Sequence, residues 1–99
     1  MNKKKIYIAG KITGNSNYQK EFADAKAQLE SQGYIVLNPA SLPEGMSKAD
    51  YMRICFAMID TADVVAFIEG FDESPGAMLE LDYCKYIEKH AFMVFRKDK

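Results

Sequence analysis

Two spacings of apolar residues alternate along this chain, and together they predict a regular succession of strands and helices. Short apolar runs, typical of buried strands, cover residues 6–9, 34–37, 64–68 and 91–95. Between these runs, apolar residues recur at helical spacing over residues 17–32, over residues 48–60, and from residue 75 to about 88 or 89. The order βαβαβαβ with short connections predicts a parallel sheet with right-handed crossovers and with helices on both faces.

Local signals support the positions of the helix ends. Gly33 stands where a helix-ending glycine belongs, and Ser47 with Asp50 three residues later resembles a capping arrangement. Ser74 and Pro75 offer an N-cap and a first-turn proline for the third helix. We therefore expect a flavodoxin-like, that is Rossmann-like, α/β fold with a four-stranded parallel sheet in the order 2-1-3-4.

Length and composition indicate one folded domain over residues 1–99. The chain is 48% hydrophobic and 27% charged, which is typical of a globule with a real core. Its formal net charge of −1 supplies no global positive field, so neither a nucleic-acid polymer nor a membrane is an expected partner. The expected partner is a small molecule, and any phosphate on it would have to be held locally.

Cysteine and histidine usage narrows the chemistry further. Cys55 and Cys84 are the only cysteines and lie in predicted helices, which excludes a disulfide framework and indicates a reducing cytoplasm. Buried, inert thiols are the default interpretation of both. His90 is the sole histidine, so a multi-histidine metal site is excluded. The apolar run at residues 6–9 is too short for a signal peptide or a membrane span.

The predicted fold also locates the ligand site. In open α/β sheets, ligands bind beyond the carboxyl ends of the strands where the strand order reverses, which here means between the first and third strands. The loops that meet there cover residues 10–14 and 69–76. Gly10 and Gly14 let the backbone approach a ligand, although an ordinary turn explains them equally well. Asp72 and Glu73 lie in the second loop, where a hydrated acidic loop is the simpler interpretation.

The start of the third helix carries the strongest chemical signal. Ser74 at the N-cap and the first-turn amides form an anion site at the positive end of the helix dipole. Glu80 lies one turn beyond Gly76 and Ala77, whose small size leaves room for its carboxylate to extend toward the helix start. The alternative is that Ser74 only caps the helix and Glu80 is an acid that favours the dipole.

Four segments, taken together and in order, resemble a known family. They are Tyr7 to Gly14, Asn38-Pro39-Ala40, Ala62-Asp63-Val64-Val65, and Ser74 to Glu80. The chain resembles the nucleoside 2-deoxyribosyltransferase-like superfamily over almost its whole length. It is most similar to small bacterial and phage members, near the deoxynucleoside 5′-monophosphate N-glycosidases.

The resemblance implies roles for individual residues. Glu80 corresponds to the nucleophile that carries the sugar as a covalent ester, and Tyr7 to the aromatic residue that helps to place it. Ser74 corresponds to the serine that holds the 5′-phosphate in the nucleotide hydrolases, and Lys11 would add a positive charge. The expected substrate-binding residues are Gly10, Lys11, Ile12, Gly14, Asn38, Asp72, Ser74, Gly76 and Ala77.

One position departs from the family pattern. The family usually has an aspartate in the second helix, eight residues before Asp63, that donates a proton or positions the sugar, and here that residue is Cys55. Asp72, Asp60 or a residue of a neighbouring subunit are the alternatives for this role.

The expected function is cleavage or transfer at the N-glycosidic bond of a 2′-deoxynucleoside 5′-monophosphate, without a metal or organic cofactor. The alternative is a non-catalytic nucleotide-binding or sensing module on the same fold, which Cys55 favours. The second helix is apolar around most of its circumference, so we also expect it to form the interface of a homodimer or higher homo-oligomer.

Overall fold

A computed structural model describes residues 3–96 and contains one four-stranded sheet. Its strands are β1 (Lys5–Ala9), β2 (Ile35–Leu37), β3 (Val64–Ile68) and β4 (Ala91–Val94). All neighbouring strands are parallel, and their order is β2-β1-β3-β4. The predicted flavodoxin-like topology is therefore confirmed.

Three helices connect the strands. They are α1 (Tyr18–Ser31), α2 (Lys48–Thr61) and α3 (Pro75–Tyr86). Two short 3-10 helices, Pro39–Ser41 and Phe71–Glu73, lie in segments that the sequence pattern predicts as loops. Within residues 3–96, no helix is both long and apolar enough to cross a membrane.

The third helix ends earlier than its apolar spacing predicts. Glu88 has a φ of 59°, in the left-handed region, and the Lys89 amide donates to the Cys84 carbonyl. The Glu88 amide donates to the Lys85 carbonyl, so the two bonds form a Schellman ending. Glycine usually occupies that left-handed position, and because this chain has glutamate there the sequence carries no stop signal.

Alternating side chains of the strands fill two cores, one on each face of the sheet. Ile6 and Ile8 of β1 point toward α1 and pack with Phe22 and Leu29. Tyr7 points to the opposite face, where Cys55 of α2 and other buried residues of α2, α3 and β3 surround it. Because side chains alternate between the two faces along β1, the Tyr7 hydroxyl lies on the face that α2 and α3 cover.

The distribution of exposed apolar side chains bears on the expected subunit interface. Phe56 of α2 stacks on Tyr83 of α3 with ring centroids 4.6 Å apart, so part of the apolar surface of α2 is covered within one chain. The large hydrophobic side chains that stay exposed among the described residues are Ile35, Leu79, Tyr86, Ile87, Phe92, Met93 and Phe95. None of them lies in α2, and most lie at the end of α3 or on and after the edge strand β4.

Candidate active site

A cavity of about 460 Å³ opens at the carboxyl end of the sheet, between the starts of α2 and α3. Its volume is within the range of small-molecule sites. It is lined by Tyr7, Gly10, Ile12, Thr13, Tyr18, Pro39, Ala40, Leu42, Glu44, Lys48, Tyr51, Met52, Cys55, Ser74, Pro75, Gly76, Ala77, Leu79 and Glu80. The structure therefore brings together the first strand, the first loop and the start of the third helix, as the fold prediction requires.

Tyr7 and Glu80 meet at the buried end of this cavity. The Tyr7 hydroxyl donates a hydrogen bond of 2.8 Å to Oε2 of Glu80. Tyr7 is 1% exposed and Glu80 is 5% exposed, and Glu80 is the one buried charged residue among those described. A buried carboxylate needs donors to offset its lost hydration, and the Tyr7 hydroxyl supplies one of them.

Burial changes the acidity of this carboxyl group. Loss of solvent raises the pKa of Glu80 from 4.5 to about 7, and hydrogen bonding from Tyr7 and Cys55 offsets part of that rise. The pKa of Tyr7 is raised well above its ordinary value, first by burial and then by the charge of Glu80. Near neutral pH, Glu80 therefore exchanges its proton readily while Tyr7 remains a neutral donor.

Cys55 lies beside this pair, buried and lining the same cavity. Burial is the main cause that raises the pKa of its thiol from 9.0 to about 11; the nearby Glu80 adds to this rise and a hydrogen bond with Tyr7 opposes it. The thiol is therefore neutral near pH 7. At the position where the resemblance predicts an aspartate, the structure thus has a neutral, weak donor beside Glu80.

The start of α3 offers fewer free donors than the sequence suggests. The Ser74 hydroxyl oxygen accepts from the Ala77 amide at 3.1 Å, so Ser74 does cap the helix. Pro75 has no amide hydrogen, and the Met78 amide bonds the Ser74 carbonyl. Of the first-turn amides, Gly76 alone has no protein partner within residues 3–96, and it lines the cavity.

Packing at Gly10 and backbone conformation at Gly14 explain why the first loop has glycine at these two positions. A Cβ at Gly10 would meet the Phe22 ring at 3.1 Å and the Ile68 Cβ at 3.3 Å, which is tighter than ordinary packing. Gly14 has a φ of +78°, in the left-handed region that side chains disfavour. Gly10 and Ile12 line the cavity, whereas Gly14 and Lys11 do not. The Lys11 ammonium instead pairs with Glu73 at 3.4 Å.

Three acidic or polar candidates lie outside the cavity lining. The Asn38 side chain accepts from the Ala40 amide and caps the 3-10 helix that follows it. Asp72 lies within the second 3-10 helix. Asp60 accepts a 2.7 Å hydrogen bond from the Tyr83 hydroxyl near the far end of α2. Neither Asp72 nor Asp60 lines the cavity that Cys55 lines, and their proposed role in place of an aspartate stays a prediction.

Of the α2 residues that line the cavity, sequence analysis singled out Cys55 alone and missed Lys48, Tyr51 and Met52. Lys48, Tyr51, Met52 and Cys55 all line it, at the spacing that puts them on one helix face. That spacing is visible in the sequence, but the nearly continuous apolar residues of this helix hide which face turns toward the ligand site. Tyr51 is anchored by a 2.5 Å hydrogen bond from its hydroxyl to the Pro43 carbonyl, which fixes the loop above α2.

No group of three or more histidine, cysteine, aspartate or glutamate side chains in the described part of the chain is arranged to hold a metal ion. The cavity lining contains Cys55, Glu44 and Glu80 as its only members of these residue types. Its remaining residues are mostly apolar or aromatic, with hydroxyl groups from serine, threonine and tyrosine.

The comparisons with known proteins agree with this architecture. One similar solved structure is a 2-deoxyribosyltransferase from the psychrotolerant bacterium Bacillus psychrosaccharolyticus, with a TM-score of 0.73 and 21% sequence identity. The similarity covers 96% of this chain and 74% of that chain, which shows that the fold is nucleoside deoxyribosyltransferase-like. No curated protein gives a significant match. A family model matches residues 4–93, and the chain therefore belongs to the family described as Domain of unknown function (DUF4406).

Proposed function

We propose that this protein cleaves or transfers at the N-glycosidic bond of a 2′-deoxynucleoside 5′-monophosphate, with Glu80 as the nucleophile. A carboxylate oxygen of Glu80 attacks the anomeric carbon, the bond from that carbon to the base nitrogen breaks, and the base leaves with the bonding electrons and takes up a proton. Water or another base then attacks the same carbon and releases Glu80, so that the configuration is retained.

The observation that carries this proposal is the buried Glu80 carboxylate at the inner end of the cavity, hydrogen-bonded through Oε2 to Tyr7. This bond and the neighbouring Cys55 thiol fix the orientation of the carboxyl group. With a pKa of about 7, a substantial fraction of Glu80 is ionised near neutral pH, and the raised pKa makes its anion a stronger nucleophile than an ordinary carboxylate. The similar fold of a 2-deoxyribosyltransferase supports the same reaction class.

Cys55 supports a second candidate, a non-catalytic nucleotide-binding or sensing module. A proton donor works best with a pKa near the working pH, and the Cys55 thiol has a pKa of about 11. The leaving base would then take its proton from solvent, from a hydroxyl group or from a neighbouring subunit. If none of these delivers it, the cavity binds a nucleotide without breaking it.

Release of free base decides between the two candidates. The protein is incubated with each of the four 2′-deoxynucleoside 5′-monophosphates, and free base is measured by chromatography. An active protein releases at least one base. Tight binding of a monophosphate with no release of any base would replace the enzyme proposal by the sensing module.

The Glu80→Gln variant tests the nucleophile. Glutamine keeps the size of the side chain but cannot form the ester, so turnover should fall by at least ~10²-fold while binding persists. Intact-protein mass spectrometry should detect the sugar adduct on the unmodified protein and not on the variant. Asp82→Asn is the matched control, because Asp82 is an exposed acid of the same helix that does not line the cavity. Equal turnover in the two variants would contradict the role of Glu80.

A further inference from the structure

We propose that Lys48 is the residue that selects a phosphorylated substrate, by placing its ammonium group on the 5′-phosphate at the mouth of the cavity. This inference rests on the proposed function, since it assigns the phosphate recognition of the same site. In this proposal the cation that binds the phosphate is Lys48, and not Lys11 as the sequence analysis expects.

The charges that line the cavity make such a cation necessary. Among the described residues, the charged side chains of the lining are Glu44, Lys48 and Glu80, so Lys48 is the only cation. Without it, a phosphate would enter a cavity whose charged groups are both acidic. Repulsion of that kind favours an unphosphorylated nucleoside over a nucleotide.

The start of α3 does not hold a phosphate by itself. The Ala77 amide is already bonded to Ser74, and Pro75 donates nothing. Gly76 contributes one amide and Ser74 one hydroxyl hydrogen. A phosphate has three strong acceptor oxygens and a charge approaching −2, so further donors and a compensating charge are required.

The ammonium group of Lys48 can supply both the further hydrogen-bond donors and the compensating positive charge. It forms no ion pair with any side chain of residues 3–96, whereas Lys11 is paired with Glu73 and lies outside the cavity lining. The other acid at the mouth, Glu44, accepts a 3.2 Å hydrogen bond from the Tyr18 hydroxyl. The Lys48 ammonium therefore remains available to an incoming anion.

The position of Lys48 on α2 matches the position of Ser74 at α3. Met52 lies one turn after Lys48 on the same face, and a Cβ built on Gly76 would be 3.7 Å from the Met52 sulfur and 3.9 Å from the Ser74 hydroxyl. The beginning of α3 thus faces the first two turns of α2. The flexible side chain of Lys48 starts one turn before Met52 and lines the same cavity as Ser74 and Gly76, which places it on the side that a phosphate held by these two residues would face.

The distances along α2 and α3 also agree with a phosphate at the mouth of the cavity. Six residues of helix separate Ser74 from Glu80, a rise of ~9 Å, and seven separate Lys48 from Cys55, a rise of ~10 Å. Both helices therefore place phosphate-binding groups at the mouth and the Glu80–Cys55 pair at the inner end. The sugar of a nucleotide would lie between these two levels.

Binding of 2-deoxyribose 5-phosphate tests the inference without knowledge of the base. Affinities for this sugar phosphate, for 2-deoxyribose and for inorganic phosphate are measured by titration calorimetry on the intact protein and on Lys48→Gln, Lys48→Arg and Lys11→Gln. Lys48→Gln should weaken the sugar phosphate about tenfold and leave the unphosphorylated sugar unchanged. Lys48→Arg should keep most of the affinity, and Lys11→Gln should change it less than twofold.

The outcomes separate this inference from the proposed function. Equal effects of Lys48→Gln and Lys11→Gln, equal loss of both sugars, or no binding of the sugar phosphate by the unmodified protein would each overturn the role of Lys48. Base release from nucleotides with an unchanged phosphate preference in Lys48→Gln would overturn the inference alone. Lys48-dependent binding of the sugar phosphate without release of any base would support the inference while overturning the enzyme proposal.

Discussion

The hydrogen bond between Tyr7 and Glu80 joins residues 73 positions apart in the chain and sets the chemistry of the site. The bond holds the Glu80 carboxylate in a buried position, where loss of solvent disfavours its negative charge. Such a group lowers stability when it is ionised, because the anion is less favourable in the folded protein than in the unfolded chain.

The Glu80→Gln variant should therefore be more stable than the original protein at alkaline pH. The pKa of Glu80 rises from 4.5 to about 7 on folding, so the folded protein binds the proton more tightly. Stability is then greatest below pH ~4.5 for this group, falls as pH rises toward about 7, and is constant above it. We expect the variant to gain about 2 to 3 kcal/mol at pH 8 and less than about 1 kcal/mol at pH 5.

Urea unfolding at the two pH values measures this difference. Asp82→Asn again serves as the control, since replacing an exposed acid should change the free energy of unfolding, relative to the original protein, by nearly the same small amount at both pH values. A variant that is less stable than the original protein at pH 8 would show that Glu80 contributes favourably to the folded state, as a simple dipole-favouring acid does.

Cys55→Asp should move the pH profile of turnover. In the original protein the rate should rise with pH as Glu80 loses its proton near pH 7. A second carboxylate beside Glu80 would share that proton, so the acid limb should shift to higher pH. Cys55→Ser is the control, because a hydroxyl remains a neutral donor and should leave the limb in place. An unshifted limb with faster turnover in Cys55→Asp would instead show that proton delivery to the base limits the reaction.

At the scale of elements, the start of α3 combines a structural and a binding role in Ser74. The hydroxyl oxygen caps the helix through the Ala77 amide, and the hydroxyl hydrogen remains available to a ligand. The same residue thus contributes to folding and, in the proposed function, to phosphate binding.

Two substitutions at Ser74 separate these roles. Ser74→Ala removes the cap and should lower the free energy of unfolding by about 1 kcal/mol. Ser74→Asp keeps a capping oxygen and should preserve stability, but its charge should repel a phosphate. Calorimetry should therefore show that Ser74→Asp weakens a monophosphate strongly and its nucleoside little. Equal weakening of both ligands would contradict the placement of the phosphate.

At the scale of the whole molecule, we propose that the protein self-associates through exposed apolar surface. Exposed apolar side chains concentrate near the end of α3 and along β4, which has an unpaired edge in the single chain. Such edges and patches favour association. The expected interface on α2 remains a prediction, since that helix is only partly covered by α3.

Light scattering at micromolar concentration should show at least a dimer. Met93→Lys places a charge on the exposed part of β4, and Ile54→Lys places one on α2. The variant that yields the monomer identifies the interface. A monomeric original protein would contradict the prediction of a homo-oligomer.

Much of the fold could be predicted because its signals are local. Apolar spacing located every strand and α-helix of the described residues. Gly33, Ser47 and Ser74 marked helix ends that the structure confirms, through backbone bonds at Gly33 and through side-chain caps at the two serines. The predicted end of α3 was wrong, because Glu88 adopts the left-handed conformation that usually marks a helix end with a glycine. The prediction also missed both 3-10 helices, which are too short to produce a periodic pattern.

The sequence by itself determined the parallel sheet, the edge at which the cavity opens, and the residue types available there. The tertiary structure alone decided which of those residues meet. It paired Lys11 with Glu73, turned Lys48 toward the cavity, and buried Glu80 against Tyr7. The physical reason is that helix and strand periods depend on neighbours in the chain, whereas burial, charge pairing and pKa depend on groups that only the packing of distant segments brings together.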